Sequence, residues 1–256
     1  MKAGAPRTAA VPQPVPPDPT AARRGHNRLA RDLAHRLERG EHILLWGPRG
    51  SGKTTLLHAV QTELRDRRCG FSTHTNCLDD VTRALEHAYV EIPTQGLTRR
   101  AARSRLWWTA ADDPAVLLLD HVTRVPTAMK GWFRQLRGGL AGVALVFDVD
   151  SPRERARLRT LRLGCWNVQM PPTPARSLGR QLAALSMPMG NLSLPVQTRR
   201  ALIRAARGRP GWLVQCAACA SDEQFWHDGR LRVHQVAWAT ELRLRGVVDS
   251  GVSSAE

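Results

Sequence analysis

Residues 47–54 read Gly-Pro-Arg-Gly-Ser-Gly-Lys-Thr, and the rest of the chain can be placed by working outward from them. Just before them Ile43, Leu44, Leu45 and Trp46 form a short apolar run, and just after them Leu56, Leu57, Val60 and Leu64 recur at helical spacing. Strand, glycine-rich loop and helix in that order is the context in which Gly-x4-Gly-Lys-Thr acts as a phosphate-binding loop. Gly47, Gly50 and Gly52 allow a tight turn that aims backbone N–H groups at phosphate oxygens, and the helix beginning near Lys53 adds the positive end of its dipole. Pro48, Arg49, Ser51 and Thr55 complete the expected cradle. Lys53 is expected to reach the β- and γ-phosphates of ATP, and the Thr54 hydroxyl to coordinate Mg²⁺. Lysine occurs elsewhere only at Lys2 and Lys130, so its presence here is not a by-product of basic composition.

With 256 residues the chain can bury one substantial core and a smaller second unit. An apolar fraction of 42% is ordinary for a globular protein, and no apolar run has the length of a membrane span. The first twenty residues are rich in proline and alanine, without the continuous apolar core of a secretory signal, so a cytoplasmic location is expected. Five irregularly spaced cysteines argue against a disulfide framework. Cys216 and Cys219 form a Cys-x-x-Cys pair, but in an alanine-rich helical stretch without a second pair, which reads as packing rather than as a metal site. The formal net charge of +16 makes a polyanionic partner plausible. Arginine is spread over the whole length, however, as a compositional bias alone would also produce.

Proline-rich residues 1–22 read as a disordered tail, and a helix is expected from an N-cap at Asn27 to Gly40, carrying Leu29, Leu33 and Leu37. Cys69 to Thr75 reads as a second strand, followed by helices over Leu78–Val90 and Thr98–Ala111. The latter sets Arg99, Arg100, Arg103 and Arg105 beside Leu106, Trp107 and Trp108. That pattern suits phosphate contact with stacking, a protein interface, or simply an amphipathic helix that buries Ala102, Leu106 and Ala110. Ala115 to Asp120 is a fully apolar strand ending in a carboxylate. Asp120 there would hold the Mg²⁺ shell, although an Asp after a strand can also cap the next turn. A helix over Pro126–Leu136, a strand Val143–Phe147 ending at Asp148, an arginine-dense helix and a strand Cys165–Gln169 follow. Strands alternating with helices predict a parallel sheet covered on both faces. Pro171, Pro172 and Pro174 then mark a boundary, beyond which three helices and a last one over Leu231–Leu244 form a small helical unit. The expected organisation is a tail over 1–22, a phosphate-loop core over 23–170, a helical lid over 171–246 and a tail over 247–256.

This order of elements resembles the AAA+ ATPases over roughly residues 24–245, and most closely their compact origin-recognition and transposition-regulator type, such as the Mu and Tn7-like target-selection ATPases. The resemblance implies an α/β fold of the P-loop NTPase kind, a parallel sheet flanked by helices with an all-helical C-terminal lid. It implies ATP and Mg²⁺ as cofactors. It places Asp148 at the family's sensor 1 position, and Arg157, Arg159 and Arg162 in the helix where such proteins carry the arginine finger that completes a neighbouring copy's site, which implies a homo-oligomer. Two positions depart from the pattern. His121 stands where the family places a glutamate that activates water, so hydrolysis is expected to be slow or absent unless His121 or Asp148 substitutes. In the turn Gly208-Arg209-Pro210-Gly211, glycine stands where the lid's sensing arginine is usual, leaving Arg209 or Arg207 to serve from nearby.

The leading expectation is an ATP-binding protein, weakly hydrolytic, that oligomerises with ATP and acts as a switch on DNA or on a DNA-processing partner. One rival is a nucleotide-gated adaptor that binds only protein and never turns over. Another is a small-molecule kinase, which would need an acceptor pocket beside the loop.

Overall fold

The computed structural model describes residues 19–123, 140–160, 164–185 and 194–246. The expected helix over Pro126–Leu136, Arg162 and the tail over 247–256 lie outside these residues, as do residues 1–18.

Five parallel strands form one sheet: β1 (Ile43–Gly47), β2 (Cys69–Ser72), β3 (Val116–Leu119), β4 (Gly142–Asp148) and β5 (Trp166–Gln169). Their order in the sheet is β2-β3-β4-β1-β5. Parallel neighbours need crossovers, and helices supply them: α2 (Lys53–Glu63), α3 (Leu78–Ala88), α4 (Arg99–Asp112) and α5 (Pro152–Thr160), with α1 (Pro19–Glu38) ahead of the sheet.

Because successive strand residues point to opposite faces, the central strands feed two cores. Leu44, Leu117, Leu119, Val143, Leu145 and Phe147 pack against α3 and α4 through Val81, Leu85, Leu106 and Ala110. Ile43, Leu45, Val116, Leu118, Ala144 and Val146 pack on the other face against Leu33 and Leu37 of α1 and Leu56, Leu57 and Val60 of α2. Burial on both faces explains why these strands read as continuous apolar runs.

The first helix begins earlier than its sequence suggested. Pro19 is the last proline of the leading segment, and Thr20 to Arg24 continue the helix, so Asn27 is interior rather than the N-cap. At its other end Gly40 behaves as expected. With φ 79° it lets Gly40 N–H donate to Leu37 O and Glu41 N–H to Arg36 O, both at 3.0 Å, closing the helix.

Beyond β5 the chain forms α6 (Ala175–Ala184), α7 (Val196–Ala206), α8 (Pro210–Ala220) and α9 (Val233–Leu244), which share a separate core of Leu178, Leu182, Leu202, Trp212, Leu213 and Val236. Cys216 and Cys219 lie fully inside it, and burial pushes the Cys216 thiol up to about 12. A two-stranded hairpin, β6 (Trp226–His227) and β7 (Arg230–Leu231), precedes α9 and adds to the helical unit. Its turn, Asp228-Gly229, has positive φ at both positions, the two-residue geometry that Asp-Gly favours. No helix among the described residues is long and apolar enough to cross a membrane.

Candidate nucleotide site

The sheet order decides where the site forms. β4 lies between β1 and β3, so Asp148 at its carboxyl end stands between the loop that leaves β1 and the carboxylate that follows β3. Gly47 and Asp148 are register partners across β1 and β4.

After β1 the backbone turns through Gly50 and Gly52, with φ 75° and 94°. Gly52 opens α2 without a side-chain cap, leaving the helix's first N–H groups directed into the loop. Lys53 is buried, and its ammonium group donates to Gly47 O at 2.9 Å, Pro48 O at 2.8 Å and Ser51 Oγ at 3.4 Å. It also pairs with Asp148 Oδ1 at 2.7 Å. Thr54 Oγ1 donates to Asp120 Oδ2 at 2.6 Å, joining residues 66 positions apart, and Asp120 is 1% exposed. Thr55 is exposed on the first turn of α2.

His121 adopts a left-handed φ of 45°, unusual for a residue with a side chain, and its N–H donates to Asp120 Oδ1 at 2.8 Å. The imidazole, partly exposed, has Nδ1 3.4 Å from Asp148 Oδ2 and Nε2 3.8 Å from Asp120 Oδ2. The ring stacks on His74 with centroids 5.4 Å apart. The hydrogen bond to Asp148 outweighs burial and raises the His121 pKa. Burial alone would raise Asp148, but His121 and Lys53 hold it down at about 2.

Arg49 ties this loop to two further places. Its N–H donates to Asp150 Oδ1 at 2.9 Å, its Nε lies 3.5 Å from Asp148 Oδ2 and 3.6 Å from Asp150 Oδ2, and its Nη1 donates to Leu244 O at 2.8 Å, at the end of α9. The first turn of α8 also touches the loop, with Gly211 N–H donating to Gly50 O at 2.8 Å. A Cβ on Gly211 would lie 3.0 Å from Gly50 Cα, so the close approach of two backbones accounts for glycine at this position.

Arg209 is placed elsewhere. It is 8% exposed, donates to Ala206 O at 3.1 Å, and grips Glu241 of α9 through both terminal nitrogens, one at 3.2 Å. Trp212 Nε1 donates to the same carboxylate at 3.1 Å. The donors of Arg209 are therefore taken up inside the helical unit rather than directed at the loop. Arg207 ends α7 and is exposed. Arg157 and Arg159 belong to α5, but their side chains, like Arg162, lie outside the described residues. Arg155 of the same helix stacks its guanidinium 4.7 Å over the Trp46 ring. In α4, Ala102, Leu106 and Ala110 are buried and Trp108 is 72% exposed.

Sequence reasoning missed Asp150 and Glu241. Asp148-Val149-Asp150 at a strand end was a usable signal, since one apolar residue between two carboxylates leaves both at the sheet's edge. Glu241 lay in a helix with nothing local to mark its partner.

The residues fit a nucleotide with Mg²⁺. A left-handed glycine turn, an uncapped helix start, a buried lysine with its protons directed at loop oxygens, and a threonine hydroxyl against a buried carboxylate are the donor set such a ligand needs.

The sequence profile described as "AAA ATPase domain" matches residues 21–214. No curated protein sequence matches the chain. Among solved structures it is similar to Cdc6p from Pyrobaculum aerophilum, at 16% identity and a TM-score of 0.54 over 87% of this chain and 65% of that one. It is also similar to the Aeropyrum pernix Orc1 protein, solved in complex with DNA, at 16% identity and a TM-score of 0.52 over 91% of this chain and 66% of that one. The chain thus spans just under two thirds of the length of each, and the likeness is one of fold.

Proposed function

The chain belongs to the AAA ATPase domain family, and from that premise we infer that it binds ATP with Mg²⁺ at residues 47–55 and works as a nucleotide-controlled switch on DNA or on a DNA-processing partner. The observation that carries the reading is the 2.6 Å contact between Thr54 and Asp120, which brings a loop hydroxyl and a strand-end carboxylate to one point beside Lys53.

ATP held with Mg²⁺ supplies a terminal phosphoryl group for transfer to water. The chain's own residues do the rest. The turn at Gly50 and Gly52 and the start of α2 orient the phosphates, Lys53 neutralises their charge, and Thr54 and Asp120 hold the cation. Asp148 positions Lys53 and His121 at once.

No glutamate follows Asp120, and His121 has its Nδ1 engaged with Asp148, leaving Nε2 as the nitrogen able to take a proton. Flanking carboxylates favour the protonated imidazole, so less of the ring is present as the free base that could take a proton from water. Turnover is therefore slow. The same observation favours the second reading, a nucleotide-gated adaptor that binds protein partners and does not hydrolyse.

Assembly of several copies with ATP, an arginine of α5 reaching a neighbour's site, and membership of the origin-recognition and transposition-regulator type belong to the proposal. The basic composition supports the DNA side of it, as does a protein of the same fold solved in complex with DNA. The organisation into a core over 23–170 and a lid over 171–246 is also proposed, supported by the separate apolar core of α6 to α9.

The test is binding of a fluorescent ATP analogue with and without Mg²⁺, together with turnover with and without duplex DNA. Lys53→Ala and Asp120→Ala should each weaken binding at least tenfold, the latter only when Mg²⁺ is present. Binding that is indifferent to both substitutions refutes the site. Binding without turnover or a DNA response moves the conclusion to the adaptor.

A further inference from the structure

Between Glu154 and Asp222 the chain carries eleven arginines and no acidic residue. Part of this stretch forms α6 and α7, whose Arg176, Arg180, Arg200, Arg204 and Arg207 are all exposed. None of the five makes an ion pair among the described residues; Arg180 donates only to Ser177 Oγ, at 3.4 Å. A solvated basic helix usually alternates its charges, and five unpaired cations on two adjoining helices repel one another.

Helical geometry puts them on one surface. Leu178 and Leu182 of α6 and Leu202 and Ala206 of α7 point into the shared core, while Gly179 faces Ile203 across the seam between the helices, a Cβ there meeting Ile203 Cδ1 at 3.6 Å. At about 100° per residue, Arg176 and Arg180 fall on the outer side of α6, and Arg200 and Arg204 on the outer side of α7, with Arg207 exposed at the C-cap that ends it. Arg207 holds a left-handed φ of 48°, a conformation that glycine adopts more readily, so its side chain is kept at a conformational cost.

Resting on the DNA-directed reading above, we propose that the outer face of α6 and α7 is a docking surface for the phosphate backbone of duplex nucleic acid. The face is complementary in charge to a phosphodiester chain. Val196 is the one strongly exposed large apolar residue of the two helices among the described residues, so the face lacks the apolar centre that a protein partner would bury. Contacts to phosphate alone position a duplex without reading its sequence.

The experiment uses the full chain and a fluorescein-labelled duplex of mixed sequence, with affinity read by anisotropy across a salt series. Each lost phosphate contact flattens the slope of log K against log[salt] by about 0.9, so the triple variant Arg176→Gln/Arg200→Gln/Arg204→Gln should flatten it by about 2.7. Lysines at the same three positions should largely restore it. A control triple scattered over other elements, Arg65→Gln/Arg83→Gln/Arg230→Gln, removes the same charge and should change the slope by less than about 1. Binding of the ATP analogue checks that each variant folds. If the α6/α7 triple keeps the wild-type slope, or if the control loses as much, this docking surface is wrong while the DNA-directed reading stands. A wild-type chain that ignores duplex DNA but binds poly-glutamate overturns both and points to an acidic protein partner.

Discussion

Arg209 lies two residues before the Gly211–Gly50 contact at the phosphate loop, yet its guanidinium is bound to Glu241 of α9. Consider Glu241→Leu, Arg209→Leu and the double substitution. Removing Glu241 leaves a guanidinium that is 8% exposed with only Ala206 O for a partner, and stranding a buried charge costs about 3 kcal/mol. Removing Arg209 is milder, because the Glu241 side chain is 35% exposed and still accepts from Trp212, so about 1.5 kcal/mol is expected. In the double substitution no charge is stranded, and the loss should be no greater than for Glu241→Leu alone, a coupling of at least about 1.5 kcal/mol. Urea unfolding at pH 7 measures all three, and analogue binding in native buffer should stay within about threefold of wild type, since a structural pair has no phosphate to release. There is also a pH signature. Burial would raise the Glu241 pKa, but Arg209 holds it below its ordinary 4.5; the pair's stabilisation is therefore present above that value and lost as pH falls through the lower folded one. An Arg209→Leu protein of unchanged stability whose ATP affinity drops tenfold or more would refute this assignment and return Arg209 to the nucleotide.

Three further outcomes follow from the site. Asp148 has a folded pKa of about 2 against an ordinary 3.8, so its ionised form contributes about 2 kcal/mol at neutral pH that disappears as pH falls from about 4 to 2; Asp148→Asn should remove that part of the acid limb in denaturation at varied pH. His121→Glu restores a carboxylate base beyond the one already facing Lys53, and steady-state phosphate release should rise about tenfold or more; a fall would mean that the imidazole is itself the working group. Gly211→Ala places a methyl 3.0 Å from Gly50 Cα and 3.1 Å from Gly50 O, and overpacking of ~1–3 kcal/mol outweighs the ~0.5–1 kcal/mol gained by replacing a helical glycine, which thermal unfolding and analogue binding should both register.

Much of the fold was legible because its signals are local. A buried parallel strand is a run of four or five apolar residues, and Val116 to Leu119 can hardly be anything else. The Gly47–Thr54 stretch carries its own conformational instructions, with the turn, the helix start and the lysine all within one segment. Two kinds of feature escaped. The hairpin at Trp226–Leu231 is only two residues per strand, too short for alternation to show, although Asp228-Gly229 marked its turn. The pairings Arg49–Asp150, separated by 101 positions, and Arg209–Glu241, by 32, arise from packing between elements, and no spacing rule reaches them. The glycine at 211 is a case between: the departure from the family pattern was visible, but its cause, a backbone contact with Gly50, was not.

These long-range contacts give the two departures a common physical basis. With Gly211 against Gly50, the helical unit meets the phosphate loop through backbone, where a charged side chain has no room. With Arg49 bonded to Leu244 O, the loop instead sends its own cation outward to the end of α9. Asp148 is the point at which these connections meet the chemistry, its half-buried carboxylate lying 2.7 Å from Lys53 Nζ, 3.4 Å from His121 Nδ1 and 3.5 Å from Arg49 Nε. One carboxylate is thus shared among an ammonium, an imidazole and a guanidinium. The phosphate loop and the helical unit are thus joined directly, by the backbone bond from Gly211 to Gly50 and by the reach of Arg49 from Asp148 to Leu244 O, and neither contact needs a lid arginine.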